Sequence, residues 1–315
     1  MKKVLVIGSF MTDLVVQTGR MPHEGETYMG TAFNMFTGGK GANQAVQTAR
    51  LGVPVTMVGA LGNDSFGEAH LKSLREAGID ASNVISVSGV TSGVGNVLLE
   101  PNGDNRIIIV PGANTELSAD YIDSIESVID ENDIIVLQLE VPVPTVIRAI
   151  ELAKGLGKTI ILNPAPAQKL PSDVLADVDY IMPNEKELGV LTDLPTDDYS
   201  GIKDAAQKLL ETGVKNVIVT LGSHGALFAT TDKMTLIPSY KVLPVDTTAA
   251  GDSFIGAFAS ELAKNCEEME ALDFAARVAA ITTTGLGSQP SLPTTDVVGR
   301  KFNKGELIQN EKVEF

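Results

Sequence analysis

Short β-branched apolar runs alternate along this chain with longer stretches whose apolar residues recur at helical spacing. Unbroken runs at 4–7, 55–58, 134–137, 159–162, 180–182 and 217–220 predict strands, and continuous rather than alternating apolarity is what a strand buried on both faces requires. Segments 42–51, 66–77, 143–153 and 202–211 keep their apolar residues on one helical face and predict helices between those strands. Parallel neighbours need such crossovers, so the pattern predicts an α/β fold with a mostly parallel sheet flanked by helices.

The rhythm breaks twice. Segments 14–33 and 94–110 read as extended and turn-rich, with Asn102-Gly103 a strong hairpin signal between apolar runs at 97–99 and 106–110. They fit no strand-helix unit and predict a small β appendage inserted in two pieces, leaving 1–13, 34–93 and 111–315 as the main α/β domain. The appendage either covers a substrate, pairs with another copy, or is a structural hairpin without a catalytic part. Runs at 226–230 and 234–237 predict an antiparallel edge, followed by helices near 250–264 and 271–284.

Composition narrows the function. The 315 residues carry 24 Lys and Arg against 40 Asp and Glu, a net charge of -16, which repels nucleic acid and anionic membrane over most of the surface. A small anionic ligand is still admissible. The lone cysteine, Cys266, forms no intrachain disulfide, which fits a reducing compartment, and the N-terminal run is too short for a secretory signal, so a cytoplasmic protein without a membrane span is expected. His23, His70 and His224 stand apart from any metal-ligand spacing and read as surface or loop residues. Tyr28 and Phe33 lie in the appendage and either contact substrate or pack it.

The sharpest chemical signal is Asp246-Thr-Thr-Ala-Ala-Gly-Asp252-Ser-Phe, entering an apolar helical pattern at 254–262. Ala249, Ala250 and Gly251 let the backbone approach a ligand closely, and a helix starting there aims free N–H groups and its positive dipole end at an anion. Asp252 in the first turn accepts a proton from an attacking hydroxyl, or is simply a helix cap. The second signal is Gly38-Gly39-Lys40-Gly-Ala-Asn43, a glycine turn opening a helix. It follows neither of the common phosphate-loop patterns, but Lys40 and Asn43 held in so tight a turn suit the hydroxyls of a small polyol.

Together these segments resemble the ribokinase family of sugar kinases over nearly the whole chain. Gln138-Leu-Glu140, Asn163-Pro-Ala-Pro166, Asn184-Glu-Lys-Glu187 and Thr220-Leu221-Gly222-Ser223-His224-Gly225 add to the two signatures in the same order. The resemblance implies a doubly wound α/β domain with a β lid through which copies often pair, and an ATP-dependent pentose kinase needing Mg²⁺. By that likeness Asp252 is the catalytic base and Ala249, Ala250 and Gly251 the anion hole. Gly38, Gly39, Lys40, Asn43, Asp13 and Glu140 match the positions that hold the sugar. Asn184 and the loop Thr220–Gly225, with Gly251, match the nucleotide site; Asn184 and Glu187 match the Mg²⁺ network, Glu187 being otherwise a solvated helix carboxylate. Asp246, Thr248, Thr282, Gly285, Gly287 and Ser291 match a K⁺ site, mostly of backbone carbonyls, which would fix the anion-hole turn from behind.

One position departs from that family. Ribokinases end the first strand in a pattern whose Asn and Asp both face sugar hydroxyls, and here the segment reads Gly8-Ser-Phe-Met11-Thr-Asp13. Methionine offers no donor, so a site built for one hydroxyl fewer is the direct reading, and it resembles the deoxyribokinase branch. The preferred substrate expected is 2-deoxy-D-ribose, phosphorylated at its 5-hydroxyl, with D-ribose poorer. The alternatives are a ribokinase in which Met11 is a packing change, and a catalytically silent sugar- or nucleotide-binding protein.

Overall fold

The computed structural model describes residues 1–101, 105–303 and 308–309. Thirteen of its strands build two sheets: β1 (Val4–Ile7), β2 (Met11–Gln17), β3 (Ala32–Gly38), β4 (Val55–Gly62), β5 (Asp80–Val87), β6 (Val94–Leu99), β7 (Asn105–Val110), β8 (Ile134–Gln138), β9 (Thr159–Asn163), β10 (Tyr180–Ile181), β11 (Asn216–Thr220), β12 (Ala226–Ala229) and β13 (Met234–Ile237).

The larger sheet has the order β13-β12-β11-β10-β9-β8-β1-β4-β5 and is parallel except for the antiparallel β11–β12 and β12–β13 pairs. From β1 the chain winds outward through β4 to β5, then returns to β8 beside β1 and winds the other way. That reversal makes a crevice beyond the C-terminal ends of β1 and β8, the place where doubly wound sheets bind ligands. Alternate residues of the same strand enter different cores. Val4 and Val6 pack under the helices Lys40–Arg50, Ala250–Ala263 and Glu268–Thr282, while Leu5 and Ile7 pack under Val143–Gly155 and Tyr199–Leu210. Burial on both faces explains the unbroken apolar runs.

The smaller sheet has the order β3-β2-β6-β7. Strand β2 pairs antiparallel with β3 and parallel with β6, and β6 pairs antiparallel with β7. The expected turn at Asn102-Gly103 lies outside the described residues. This sheet is tethered at both ends of one seam: β2 follows β1 after three residues, and β3 runs through Gly38-Gly39 straight into the helix Lys40–Arg50. One face, with Asp13, Val15, Asn34, Phe36, Val97 and Ile107, lines a cleft over the crevice. On the other face Phe33, Met35, Ile108 and Val110 are all more than half exposed. No helix among the described residues is long and apolar enough to cross a membrane.

Glycines set the close contacts. A Cβ on Gly41 would lie 2.5 Å from the Ser9 nitrogen, and one on Gly39, whose φ is +89°, 2.5 Å from the Met11 nitrogen. The start of the helix Lys40–Arg50 therefore rests directly on the backbone leaving β1. Its far side crosses the helix Ala250–Ala263 at Gly256, where a Cβ would lie 2.8 Å from the Gln44 carbonyl oxygen and from Gln47 Cβ. Thr48 Oγ1 donates to the Gly256 carbonyl at 3.0 Å in the same crossing. Substituting Gly256→Val should overpack this crossing and lower stability by about 1–3 kcal/mol. Gly155→Ala, with nothing within 4 Å of the new methyl, is the control and should be neutral or slightly stabilising in thermal melts.

Candidate active site

The crossing at Gly256 fixes what lies one turn earlier on the same helix face. Asp252 is 8% exposed, and its carboxylate is held from both sides: Asn43 Nδ2 donates to Oδ2 at 2.8 Å and Gln44 Nε2 to Oδ1 at 3.0 Å. Both donors are amides, which orient the group without offering it a proton. Ala249, the N-cap of Asp252's helix, adopts φ +62°, a left-handed conformation that costs an alanine about 1–2 kcal/mol. No side chain caps this helix, and among the described residues the N–H groups of Gly251 and Asp252 have no acceptor. Unpaired donors, the positive dipole end and an oriented carboxylate thus share one turn.

That turn separates two clefts. The first, of about 980 Å³, lies between the small sheet and the crevice, and Met11, Asp13, Gly39, Lys40, Asn43, Glu140, Thr248, Ala249, Asp252 and Ser288 are among its lining. The second, of about 440 Å³, is lined by Thr220, Gly222, Ser223, Gly225, Tyr240, Val242, Phe254, Ala276 and Ala279, together with Ala250 and Gly251. Pro244 and Thr247 belong to both.

Topology brings the polar groups of the first cleft together. Because β1 and β8 are neighbours, the residues just beyond them meet: Ser9 Oγ donates to Glu140 Oε2 at 2.5 Å, and the Lys40 N–H donates to the same oxygen at 3.0 Å. Asn43 lines the cleft and is 3% exposed, and its buried Oδ1 has no partner among the described residues. Asp13 Oδ2 accepts from Ser288 Oγ at 2.7 Å. Burial, with the nearby carboxylates of Glu140, Asp252 and Asp246, pushes the Asp13 carboxyl up to about 6, against the opposing Ser288 hydrogen bond. Burial alone would lower the Lys40 ammonium, but Asp252, Glu140 and Glu187 outweigh it and its pKa rises. Lys40 is thus a cation for the site as a whole.

Other expected positions fall differently. Asn184 and Glu187 form a capping box on the helix Glu185–Thr192, each donating its backbone N–H to the other's side chain at 2.8 Å. Glu187 is half-buried rather than solvated, and burial raises its carboxyl against the Asn184 hydrogen bond. In the 220–225 loop, Thr220, Gly222 and Ser223 border the second cleft, but the Leu221 side chain is buried in the core and His224 does not line the cleft. Gly225 also lines that cleft, and a Cβ there would collide with the Ile237 carbonyl. Among the expected K⁺ ligands, Asp246 accepts from the N–H groups of Thr248 and Gly287, both at 2.9 Å, and Gly285 packs on Ser291 and donates to the Thr282 carbonyl at 3.1 Å. The Asp246 N–H donates to the Thr283 carbonyl at 3.1 Å, which brings these two groups side by side.

His70 corrects the expected surface or loop position. It is 1% exposed, bonds Thr12 Oγ1 at 3.1 Å and packs edge-on to Phe10, and burial lowers its pKa to about 4. Neither Tyr28 nor Phe33 lines the cleft; Tyr28 lies 4.3 Å under the Arg20 guanidinium. Sequence reasoning missed Gln44, Ser9 and Ser288. Gln44 was the most accessible of these, because a glutamine beside Ala42, Ala45 and Val46 on a helix packed at both ends needs a buried partner.

A model of the pfkB family of carbohydrate kinases matches residues 1–295. The chain is 41% identical over 294 residues to a deoxyribokinase of Salmonella typhimurium, covering 93% of this chain and 96% of that one. It is 37% identical over 300 residues to a ribokinase of Staphylococcus aureus, covering 95% and 99%. Among solved structures, the ribokinase of Thermotoga maritima matches with a TM-score of 0.87 at 38% identity over 96% of this chain and 100% of that one. Arabidopsis thaliana ribokinase, complexed with ribose and ATP, matches with a TM-score of 0.89 at 34% identity over 95% and 98%. The chain belongs to the pfkB family of carbohydrate kinases. It is an ATP-dependent sugar kinase with the ribokinase-like fold, and its similarity places it among the pentose kinases of the ribokinase type.

The Asp13 environment gives a stability test. An unfolded Asp titrates at its ordinary 3.8, whereas the folded carboxyl titrates at about 6, so ionisation opposes folding increasingly as pH rises through that window. Asp13→Asn should therefore melt near wild type at pH 4 and above it at pH 8, by a margin on the order of 2 kcal/mol. A variant melting lower at pH 8 than at pH 4, relative to wild type, would contradict the assignment.

Proposed function

We propose that the enzyme transfers the γ-phosphoryl group of ATP to the 5-hydroxyl of 2-deoxy-D-ribose, with D-ribose a poorer substrate. The observation that carries the transfer is Asp252, a buried carboxylate oriented by two amides, in the helical turn between a cleft that holds Asp13, Lys40, Asn43 and Glu140 and a cleft with apolar walls. The sugar occupies the first, with Asp13, Asn43, Glu140 and the 38–40 turn on its hydroxyls, and ATP the second, along Thr220, Gly222, Ser223 and Gly251. Asp252 takes the proton of the 5-hydroxyl as its oxygen attacks the γ-phosphorus. The new O–P bond forms as the bond to the β–γ bridging oxygen breaks, and ADP leaves with that oxygen. Charge on the moving phosphoryl group is met by the unpaired N–H groups of Gly251 and Asp252, and Lys40 balances the surrounding carboxylates.

Mg²⁺ would neutralise the nucleotide phosphates when bound. Asn184 and Glu187 each give one side-chain oxygen to the capping box, and the remaining Glu187 oxygen suits a cation that keeps several of its waters. Together Asp246, Thr248, Thr282, Gly285, Gly287 and Ser291 offer a single carboxylate among carbonyl and hydroxyl oxygens, a donor set that fits K⁺. The exposed apolar face of the small sheet supports a homodimer through the lid, and the single cysteine supports a cytoplasmic home.

The preference for deoxyribose rests on Met11, which is 6% exposed, lines the sugar cleft beside Asp13 and offers a hydroxyl no donor. An apolar contact discriminates against an added hydroxyl only modestly, so kcat/KM for deoxyribose should exceed that for ribose by about 10- to 100-fold. A preference for ribose would reverse the substrate reading, and Met11→Asn should move the ratio toward ribose. Asp252→Asn should lower kcat by about 10³-fold or more while sugar binding, measured calorimetrically, stays within a few-fold of wild type.

A further inference from the structure

Asp252 is the end of a chain of buried amides. Gln44 is fully buried and uses both of its amide protons, one toward Asp252 Oδ1 at 3.0 Å and one toward Asn163 Oδ1 at 3.2 Å. Its own Oε1 accepts from Gln138 Nε2 at 2.6 Å, and Gln138 is likewise fully buried. Asn163 in turn donates Nδ2 to the Met182 carbonyl at 3.0 Å. Room for Gln138 is made by Gly8, where any Cβ would collide with Gln138 Oε1. The chain runs across the C-terminal ends of three neighbouring strands. Gln138 closes β8, two residues before Glu140; Asn163 closes β9; and Met182 follows β10, two residues before Asn184.

The amide orientation of Gln44 is determined by these neighbours. Gln138 offers a proton to one end and Asn163 an acceptor to the other, so the N–H end faces Asp252 and the oxygen end faces away. Reversal would put an oxygen against the carboxylate and leave two buried groups unpaired.

We propose that Gln44 is a positioning residue for phosphoryl transfer, and that the Gln44–Gln138–Asn163 chain aims Asp252 at the attacking hydroxyl. No member of the chain titrates, so it fixes the base without competing for the proton it must take. This role rests on Asp252 being the base, and the two readings fail separately.

The experiment compares Gln44→Met, Gln44→Glu and Gln138→Met with wild type, measuring kcat, KM for both substrates, the acid limb of the kcat–pH profile and the melting temperature. Gln44→Met should lower kcat about 10- to 100-fold with KM for sugar and ATP within about threefold. Gln44→Glu sets a second carboxylate beside Asp252 and should move the acid limb upward by about one pH unit or more. Gln138→Met, which never touches Asp252, frees the Gln44 amide to reverse and should lower kcat about 3- to 10-fold, also without a KM change. It tests the chain even where a Gln44 variant fails to fold. Unchanged kcat and acid limb in folded variants, with Asp252→Asn inactive, would overturn the positioning role. So would losses that only track melting temperature. Activity retained in Asp252→Asn would instead overturn the base.

Discussion

Two helices approach each other more closely than any side chain at residue 256 allows, and the active site follows from that approach. With glycine there, the helix Lys40–Arg50 lies against the helix Ala250–Ala263 closely enough for Asn43 and Gln44 to reach the carboxylate of Asp252. The same Lys40 helix sits on the backbone beyond β1 through Gly39 and Gly41, and so ties the Asp252 helix to the sheet. Positions far apart in sequence, near 9, 43, 140 and 252, are thereby set within hydrogen-bond reach of common partners. Sheet topology supplies the rest, because the reversal at β1 and β8 opens the crevice that the small sheet covers.

Electrostatically the site is unusual for one that receives a polyanion. Asp252, Glu140 and Glu187 act on the Lys40 ammonium, Asp13 adds a further carboxylate to the cleft, and burial raises both Asp13 and Glu187. A basic surface is not what meets the phosphates. On the proposed reading, backbone N–H groups at a helix start, with the cations inferred at its flanks, carry that part, which reconciles a chain of net charge -16 with a nucleotide substrate.

Much of the main sheet was legible in the sequence, because strands buried on both faces are written as unbroken apolar runs such as Val4–Ile7 and Ile134–Gln138. Strand β5 was not, since an edge strand reading Asp-Ala-Ser-Asn-Val-Ile-Ser-Val is half polar and has no such run. The Asp252 turn and the glycine turn stood out because small residues beside lone polar ones are rare in a packed helix start. The partners Gln44, Ser9 and Ser288 were not evident, since hydrogen bonds spanning about one hundred residues or more leave no local trace. Gly225 carries a constraint that sequence does not show: it lines the second cleft and also lies too close to the Ile237 carbonyl for a Cβ. His70 was misread because nothing local to it announces Phe10 and Thr12.

The turn between the two clefts has a consequence for inhibitor design. Ala249 and Asp252 line one cleft, Ala250 and Gly251 the other, and Pro244 and Thr247 line both. On the proposed assignment of sugar and ATP to these clefts, a molecule joining a polyol to a nucleotide would have its tether pass this turn. Each half then presents the other at high effective concentration, so modest fragments of each kind become one strong competitor. The second cleft is the more apolar of the two, and that contrast would give such a compound its direction of binding.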